Sequence, residues 1–324
     1  MRKFHHIDAT SVDEALSWLK RYGHRAYVIA GGTDLLGKMK DEILPTYPEA
    51  IINLKSIPGL DFIKDEDGIL RIGALSRLHD IAANPTVQDR YPAVAMAAHR
   101  TASPNIRQMA TIGGNTCQDI RCWYYRSPRN RFPCLRKGGG RCYAIEGDNR
   151  YHSIFGGSVE GGCYAVHPSD TAPALIVLDA NIVTSHRTIK AENFFQVGVG
   201  RTTVLDVHEI VTEIQVSAPA EGTRSTFIKF ALRSSIDFPI VNCAAMITKS
   251  DGVVSAARIC LNAVYGKPYR AYNAEEAIVG KAIDEPTAEA AGEASVVEAE
   301  PLKHNRYMVQ VARVLVKRSI LACS

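Results

Sequence analysis

The residues with the clearest capacity for chemistry are cysteines that gather in the middle of the chain. Five of the eight cysteines lie within one stretch of 47 residues. Clustered thiols in a reducing cytosol more often bind a metal or carry out redox chemistry than form disulfides. The sequence therefore predicts a metal or cluster site in this stretch, which contains Cys117, Cys122, Cys134, Cys142 and Cys163.

The spacing of these thiols disfavours the most compact metal sites. From Cys122 onward the gaps read C-x11-C-x7-C-x20-C, whereas zinc ribbons and knuckles use C-x2-4-C pairs. Cys117 and Cys122 are spaced like the opening of a plant-type [2Fe–2S] loop, but Tyr125 stands where that loop needs a third cysteine. Four widely spaced thiolates still suit a [4Fe–4S] cluster, because its ligands need to converge only in space.

The segment around the cysteines is also strongly basic. A four-thiolate cluster is a buried anion, and nearby cations and backbone N–H groups offset its charge. With Trp123, Tyr124 and Tyr125, the same loop also suits single-stranded nucleic acid, and a solvated loop without a ligand is a third interpretation. Residues 121–150 contain only two acidic residues, Glu146 and Asp148. The basic residues in the same range are Arg121, Arg126, Arg129, Arg131, Arg136, Lys137, Arg141 and Arg150.

Two glycine pairs, Gly31–Gly32 and Gly113–Gly114, stand beside small hydroxyl residues. Paired glycines permit positive φ and close backbone approach, so that successive N–H groups can form a nest for a pyrophosphate. Each pair taken alone also suits an ordinary tight turn. No G-x-G-x-x-G follows a predicted strand and no G-x-x-x-x-G-K-S/T occurs, which disfavours a Rossmann domain and a P-loop.

Hydrophobic periodicity predicts a mixture of helices and strands in the first half of the chain. Ser11, with Glu14 three residues later, indicates the start of the first helix. Residues 118–162 show no hydrophobic period, which indicates a long irregular insertion of the kind that is often functional. We predict a helix over 11–23, strands over 27–30, 51–54 and 69–75, and a helical region over 76–102.

The second half of the chain is rich in strands and ends in helices. A Ser-Asp-Gly turn at 250–252 between two strand-like stretches predicts a hairpin. Met308, Val311 and Leu315 share one side of the last helix, which predicts a packing role for it. The predicted elements are a helix over 171–178, strands over 181–185, 209–216, 225–232, 240–248 and 253–264, and helices over 286–299 and 303–322.

Composition indicates the class of protein. Hydrophobic residues make up 46% and charged residues 22%, which is typical of a globular chain, and the length suits two or three subdomains. No run of about 18 apolar residues predicts a membrane span, and the start lacks the apolar core of a signal peptide. A net charge of +4 is too small to indicate nucleic acid by itself. We therefore expect a cytoplasmic protein without a nucleic-acid partner.

Five motifs together carry a resemblance to a known family. They are IAGGTDLL at 29–36, TIGGN at 111–115, RCWYYR at 121–126, CYAVHPSDTAPAL at 163–175 and KFALRSSIDFPIV at 229–241. In these motifs the chain resembles the FAD-binding (medium) subunit of the molybdenum hydroxylase family, which includes xanthine dehydrogenase. It is most similar to the branch whose flavin subunit carries an extra [4Fe–4S] loop, as in 4-hydroxybenzoyl-CoA reductase and periplasmic aldehyde oxidoreductase. The resemblance covers nearly the whole length.

This resemblance implies an α+β fold. It would consist of a two-subdomain FAD-binding fold of the PCMH/VAO-like type and a C-terminal antiparallel sheet with helices. The implied domains are 1–55, a βαβ FAD-binding subdomain; 56–218, a second FAD-binding subdomain with an iron–sulfur insertion at 118–163; and 219–324, a C-terminal α+β domain like that of CO dehydrogenase flavoproteins.

The resemblance also implies which residues bind FAD. Asp170 matches a family acid that hydrogen-bonds the adenosine part, and Lys229 matches a basic residue close to the flavin ring. Without the family, Asp170 suits a helix N-cap and Lys229 a surface ion pair. The other implied FAD contacts are Ile29, Ala30, Gly31, Gly32, Thr33, Asp34, Leu35, Leu36, Thr101, Ala102, Thr111, Ile112, Gly113, Gly114, Asn115, Ile210 and Val211, with the two glycine turns around the pyrophosphate.

For the insertion, the resemblance implies a complete set of cluster ligands that leaves out Cys117. The three C-terminal cysteines lie in predicted strands or helices and are expected to be packing residues. The implied [4Fe–4S] ligands are Cys122, Cys134, Cys142 and Cys163.

The chain shows no acid–base or nucleophile set, as expected where cofactors carry the chemistry. The resemblance therefore implies an oxidoreductase subunit without catalytic residues of its own. Its partners would be a [2Fe–2S] small subunit, a molybdenum-cofactor large subunit and an external electron carrier such as ferredoxin, in a dimer of heterotrimers. The alternative is a zinc-stabilised interaction subunit without redox activity.

Overall fold

A three-stranded parallel sheet opens the chain in the computed structural model, which describes residues 1–324. Ser11 Oγ accepts a hydrogen bond from the N–H of Glu14 at 3.1 Å, so the predicted cap is confirmed. Ala15 and Leu19 are buried in the core beside the sheet. The elements are β1 (His5–Asp8), α1 (Val12–Tyr22), β2 (Ala26–Ile29), α2 (Leu35–Lys40) and β3 (Ala50–Asn53). The strand order is β1-β3-β2, which confirms a parallel unit in this region.

An antiparallel five-stranded sheet forms the second unit. Its strands are β4 (Ile63–Glu66), β5 (Ile69–Gly73), β6 (Asn181–Thr184), β7 (Thr188–Lys190) and β10 (Val211–Ser217), with a separate ribbon of β8 (Phe195–Gly198) and β9 (Arg201–Thr203). The order is β4-β5-β10-β6-β7. The chain therefore leaves the sheet after β5 and returns at β6, and the intervening residues build one side of the cleft described below.

The helical region predicted over 76–102 is three helices rather than one. Pro85 and Pro92 each occupy the first turn of a new helix, because proline lacks the N–H that a helix interior needs. Asn84 caps the second helix by accepting a hydrogen bond from the N–H of Val87. The helices of the second unit are α3 (Leu78–Ala83), α4 (Pro85–Arg90), α5 (Pro92–Arg100), α6 (Pro104–Arg107), α7 (Ile112–Thr116), α8 (Thr171–Val177) and α9 (Ala191–Phe194).

A four-stranded antiparallel sheet and three helices end the chain. Asp251 and Gly252, with φ of 53° and 80°, form the turn of the predicted hairpin, which is confirmed. Met308 and Leu315 are buried in the core of this unit, as predicted for the last helix. The elements are β11 (Thr223–Phe230), β12 (Val241–Ser250), β13 (Val253–Asn262), β14 (Tyr269–Arg270), α10 (Tyr272–Ile278), α11 (Glu285–Ala294) and α12 (Arg306–Leu321).

Residues 118–162 contain only two short 3₁₀ turns, Pro128–Asn130 and Leu135–Lys137, so the predicted irregular insertion is confirmed. The insertion still has a small apolar core, to which the N-terminal unit contributes Ile43. The other core residues are Ile120, Tyr125, Cys134, Cys163 and Ala165. No helix combines the length and the apolar sequence needed to cross a membrane.

Candidate cofactor site

A cleft lies where the N-terminal unit, the second unit and the C-terminal unit meet. It consists of two cavities of about 290 and 320 Å³, named here the first and the second cavity. Thr33, Asp34, Gly114 and Gln118 line both cavities and mark their junction. Binding sites for small molecules are common at domain interfaces and measure some hundreds of Å³. The cleft therefore suits one elongated ligand that extends through both cavities.

Most of the residues predicted to contact FAD line this cleft. The exceptions are Leu36, the fully buried Ile112, and Lys229, which lies behind Asp170. The first cavity is lined by Ile29, Ala30, Gly31, Gly32, Thr33, Asp34, Leu35, Thr111, Gly113, Gly114, Ile210 and Val211. The second cavity is lined by Thr101, Ala102, Asn115 and Asp170.

The first glycine turn presents a row of backbone donors to the cleft. The four N–H groups from Gly31 to Asp34 donate to no acceptor within the chain. Gly32 has φ of 72°, a conformation that glycine adopts readily. Gly31 packs so closely on Met109 that a Cβ atom would lie 2.1 Å from the carbonyl oxygen of Met109. Successive free N–H groups form an anion nest, so this turn fits a pyrophosphate.

The second glycine turn differs from the prediction. It forms the start of α7, and Thr111 Oγ1 accepts a hydrogen bond from the N–H of Gly114 at 3.2 Å. The N–H of Gly113 donates to the carbonyl of Ala74 at 2.9 Å, and the neighbouring N–H groups also have acceptors in the chain. Neither glycine has a positive φ. This pair therefore allows close packing on β5 and does not supply a second nest.

Asp170 and Lys229 form a buried ion pair at one wall of the second cavity. Lys229 Nζ lies 2.7 Å from Asp170 Oδ2, and both side chains are less than 5% exposed. Asn242 donates to the other carboxylate oxygen at 2.7 Å. Asp170 does not cap α8, because the hydroxyl of Ser169 accepts the hydrogen bond from the N–H of Ala172 instead. Asp170 and Lys229, which the resemblance places at different parts of FAD, thus contact each other in the folded chain.

A partly buried charge cluster connects the cleft to the cysteine insertion. Asp34 lies 2.8 Å from Arg126 and 3.3 Å from Arg121, and it accepts a hydrogen bond from the N–H of Asp119. Asp119 in turn pairs with Lys38 at 3.0 Å. Burial alone would raise the pKa of Asp34, but Arg126, Lys38 and Arg121 hold it below its usual value. Asp34 therefore fixes the start of the insertion beside the first glycine turn.

Burial and nearby backbone N–H groups act in opposite directions on three of the four predicted cluster cysteines. Burial raises the pKa of Cys122, and the neighbouring backbone N–H groups oppose that rise. The same two influences act on the pKa of Cys134. Burial raises the pKa of Cys163 to about 11, although a nearby backbone N–H favours its thiolate. The thiolate is the form of cysteine that binds a metal, so these N–H groups favour ligation.

Three of the four thiols share one neighbourhood. Cys134 and Cys163 belong to the small core of the insertion, and Cys122 packs against that core. Negative charge on Cys142 would raise the pKa of Cys134 and Cys163. No group of three or more His, Cys, Asp or Glu side chains is compact enough to hold a single metal ion. The zinc alternative therefore finds no support, since zinc needs its thiolates at about 2.3 Å. A four-iron cluster takes a wider set, because the cube itself lies between the thiolates.

The site contains residues that were not predicted. Arg121 lines the second cavity and lies 3.9 Å from the ring centroid of Phe238. Both belong to motifs that carry the resemblance, so a signal for them was present in the sequence. His152 Nε2 lies 3.2 Å from Cys122 Sγ, and burial lowers the pKa of His152 to about 4. No pattern around His152 marks it in the sequence.

Glu209, in the wall of the first cavity, makes the free energy of unfolding depend on pH. Burial alone would raise its pKa, but hydrogen bonds from Arg187 and Thr184 lower it to about 2. Since its ordinary value is 4.5, the stabilisation is complete above about pH 4.5 and is lost as the pH falls toward 2. We expect Glu209→Gln to lower the free energy of unfolding by roughly 2–3 kcal/mol at pH 7, and by less at pH 3.

Urea denaturation at both pH values checks this expectation. The matched control is Glu49→Gln, which removes an exposed ion pair with Arg25 and should cost at most about 1 kcal/mol. A destabilisation by Glu209→Gln that does not shrink between pH 7 and pH 3 would contradict the role of the carboxylate charge.

Two family models cover nearly the whole chain. The FAD binding domain in molybdopterin dehydrogenase matches residues 2–219, and the CO dehydrogenase flavoprotein C-terminal domain matches residues 226–323. The boundary between the two matches falls near the start of β11, where the C-terminal sheet begins.

Similar proteins include subunits of several oxidoreductases. The aldehyde oxidoreductase FAD-binding subunit PaoB of Escherichia coli is 36% identical over 81% of each chain. The carbon monoxide dehydrogenase medium chain of Hydrogenophaga pseudoflava is 29% identical over 99% of this chain and 96% of the relative. The solved structure of carbon monoxide dehydrogenase from Hydrogenophaga pseudoflava matches 99% of this chain and 97% of its own, with a TM-score of 0.78 and 28% identity. The chain therefore belongs to the FAD-binding subunits of the molybdenum hydroxylase family of oxidoreductases.

Proposed function

We propose that this chain carries both FAD and a [4Fe–4S] cluster, and that it relays electrons between a [2Fe–2S]/molybdenum pair of subunits and an external redox partner. The observation that carries the proposal is the small core of the insertion, which contains Cys134 and Cys163 with Cys122 packed against it, beside the cleft of a flavin-binding family. Asp34 joins the two sites through Arg121 and Arg126.

For FAD, the free N–H groups from Gly31 to Asp34 would hold the pyrophosphate. Ile210 and Val211 offer an apolar wall in the first cavity, and Thr101, Ala102 and the Asp170–Lys229 pair border the second. When bound, FAD supplies the exchange between two-electron and one-electron transfer. We assign the flavin ring to the second cavity, because that cavity adjoins Arg121 at the start of the cysteine insertion.

For the cluster, Cys122, Cys134, Cys142 and Cys163 would be the ligands. Three features support this set: the shared core of Cys122, Cys134 and Cys163, the backbone N–H groups that favour their thiolate forms, and the cations of the insertion. His152 would position Cys122 from its other side. All eight cysteines are free, which supports a reducing compartment such as the cytoplasm.

The names of relatives support a role in a complex of several subunits. Two of them are medium chains of carbon monoxide dehydrogenases, and another is a subunit of a dehydrogenase complex. We propose a [2Fe–2S] small subunit, a molybdenum-cofactor large subunit and an external carrier such as ferredoxin for this chain. The substrate would react on the large subunit, because this chain offers no catalytic residue of its own.

Absorbance and elemental analysis of the purified chain test the proposal. We expect one FAD and, for a [4Fe–4S] cluster, about four irons per chain, with no stoichiometric zinc. Flavin without iron, after anaerobic reconstitution with iron and sulfide, would remove the cluster and leave the flavin role. Stoichiometric zinc instead of iron would favour the interaction-subunit alternative.

A further inference from the structure

Two neighbouring cations of the insertion have buried nitrogen atoms without a hydrogen-bond partner. These atoms are Arg136 Nε and Lys137 Nζ. Neither residue forms an ion pair with a carboxylate, although the chain forms such pairs with most of its other buried cations. A buried ammonium or guanidinium N–H left without an acceptor costs free energy. Both atoms therefore indicate that an anion belongs beside them.

The surroundings of these atoms show where that anion lies. Lys137 Nζ is 5.4 Å from the ring centroid of Tyr125, which shares the small core of the insertion with Cys134 and Cys163. The free ammonium group therefore lies beside the core that contains two of the proposed ligands.

Arg136 stands next to Lys137 and follows the proposed ligand Cys134 by two residues. It is only 3% exposed, and its Nη2 donates to the carbonyl of Arg201 at 2.8 Å. The N–H of Gly200 donates back to the carbonyl of Arg136 at 3.1 Å. These bonds fix the position of Arg136, so both unpartnered nitrogen atoms belong to the segment that directly follows Cys134.

We propose that Arg136 and Lys137 are the counter-cations of the [4Fe–4S] cluster and raise its reduction potential. This inference rests on the proposed function. Reduction adds one negative charge to the cluster, so a fixed positive charge stabilises the reduced form more than the oxidised form. The effect is large for these two residues because burial reduces the screening of their charges by water.

Redox titration of the holoprotein, followed by electron paramagnetic resonance of the reduced cluster, tests this inference. We expect Lys137→Gln to lower the ratio of reduced to oxidised cluster at a fixed potential by about tenfold, which equals about 59 mV for one electron. Lys137→Arg keeps the charge and should keep the wild-type ratio to within about threefold.

Arg131→Gln is the matched control. It removes one positive charge from the same insertion at an exposed position, so solvent screening should limit its effect to about twofold. Because the resonance signal reports only loaded molecules, the titration stays valid for a variant that binds less iron. A wild-type ratio in loaded Lys137→Gln protein would overturn the inference and leave the cluster in place. A wild-type protein that binds no iron would instead overturn the proposed function.

Discussion

Replacing Cys134 by serine is expected to remove most of the iron and to leave about one FAD per chain. Cys134 is 6% exposed and lies in the small core of the insertion, whereas no residue from 122 to 162 lines either cavity of the cleft. Serine has nearly the same size but replaces a soft thiolate by a hard oxygen, which binds iron–sulfur clusters poorly. Iron and flavin contents of the purified variant, measured on the same sample, check this expectation.

Cys117→Ser is the matched control for iron content. Cys117 precedes the insertion and lines the first cavity, and it is not one of the proposed ligands. Its serine variant should therefore keep about four irons per chain. If Cys134→Ser loses FAD together with iron, the insertion is a structural part of the flavin site. If Cys134→Ser keeps its iron, Cys134 is not a ligand.

The elements predicted correctly are those whose signal is local. Helix α1 has a capping residue at Ser11 and an apolar side that repeats every three or four residues. The hairpin of β12 and β13 has the Asp251-Gly252 turn, which requires positive φ at both positions. In both cases the residues that determine the element are close together in sequence.

The elements that were missed depend on distant contacts. Strand β1 (His5–Asp8) is short and mostly polar, and it exists because it pairs with β3 more than forty residues later. The second glycine pair lies at the start of a helix, where the N–H of Gly113 donates to the carbonyl of Ala74, more than thirty residues earlier in the same unit. The three helices over 76–102 are a different case, since Pro85 and Pro92 marked their starts in the sequence.

The candidate site shows the same division. Residue types and motifs were enough to predict the cysteines and the first glycine turn. The contact between Asp170 and Lys229 and the absence of a hydrogen-bond partner at Lys137 Nζ could not be predicted from the sequence. Both depend on which atoms become neighbours when the chain folds. Three-dimensional structure therefore adds chiefly the state of each polar group: paired, or free to bind a ligand.

Gly31→Ala is expected to weaken FAD binding at least tenfold and to lower the free energy of unfolding by about 1–3 kcal/mol. An added Cβ would lie 2.1 Å from the carbonyl oxygen of Met109 and 2.8 Å from its carbonyl carbon. Both are backbone atoms that cannot rotate away, so the first glycine turn must move away from residues 109–110. That movement displaces the free N–H groups from the place where they would hold the pyrophosphate.

Flavin fluorescence titration of the deflavinated protein and urea denaturation measure these two effects separately. Gly37→Ala is the matched control, because Gly37 lies in α2 with open space around its Cα and alanine favours a helix by up to about 1 kcal/mol. It should bind FAD as the wild type does and unfold no more easily. Since the two glycines are six residues apart in one segment, a shared loss of FAD would point to a general disturbance of that segment. Wild-type affinity in Gly31→Ala would show that the nest tolerates the displacement and is not what holds the pyrophosphate.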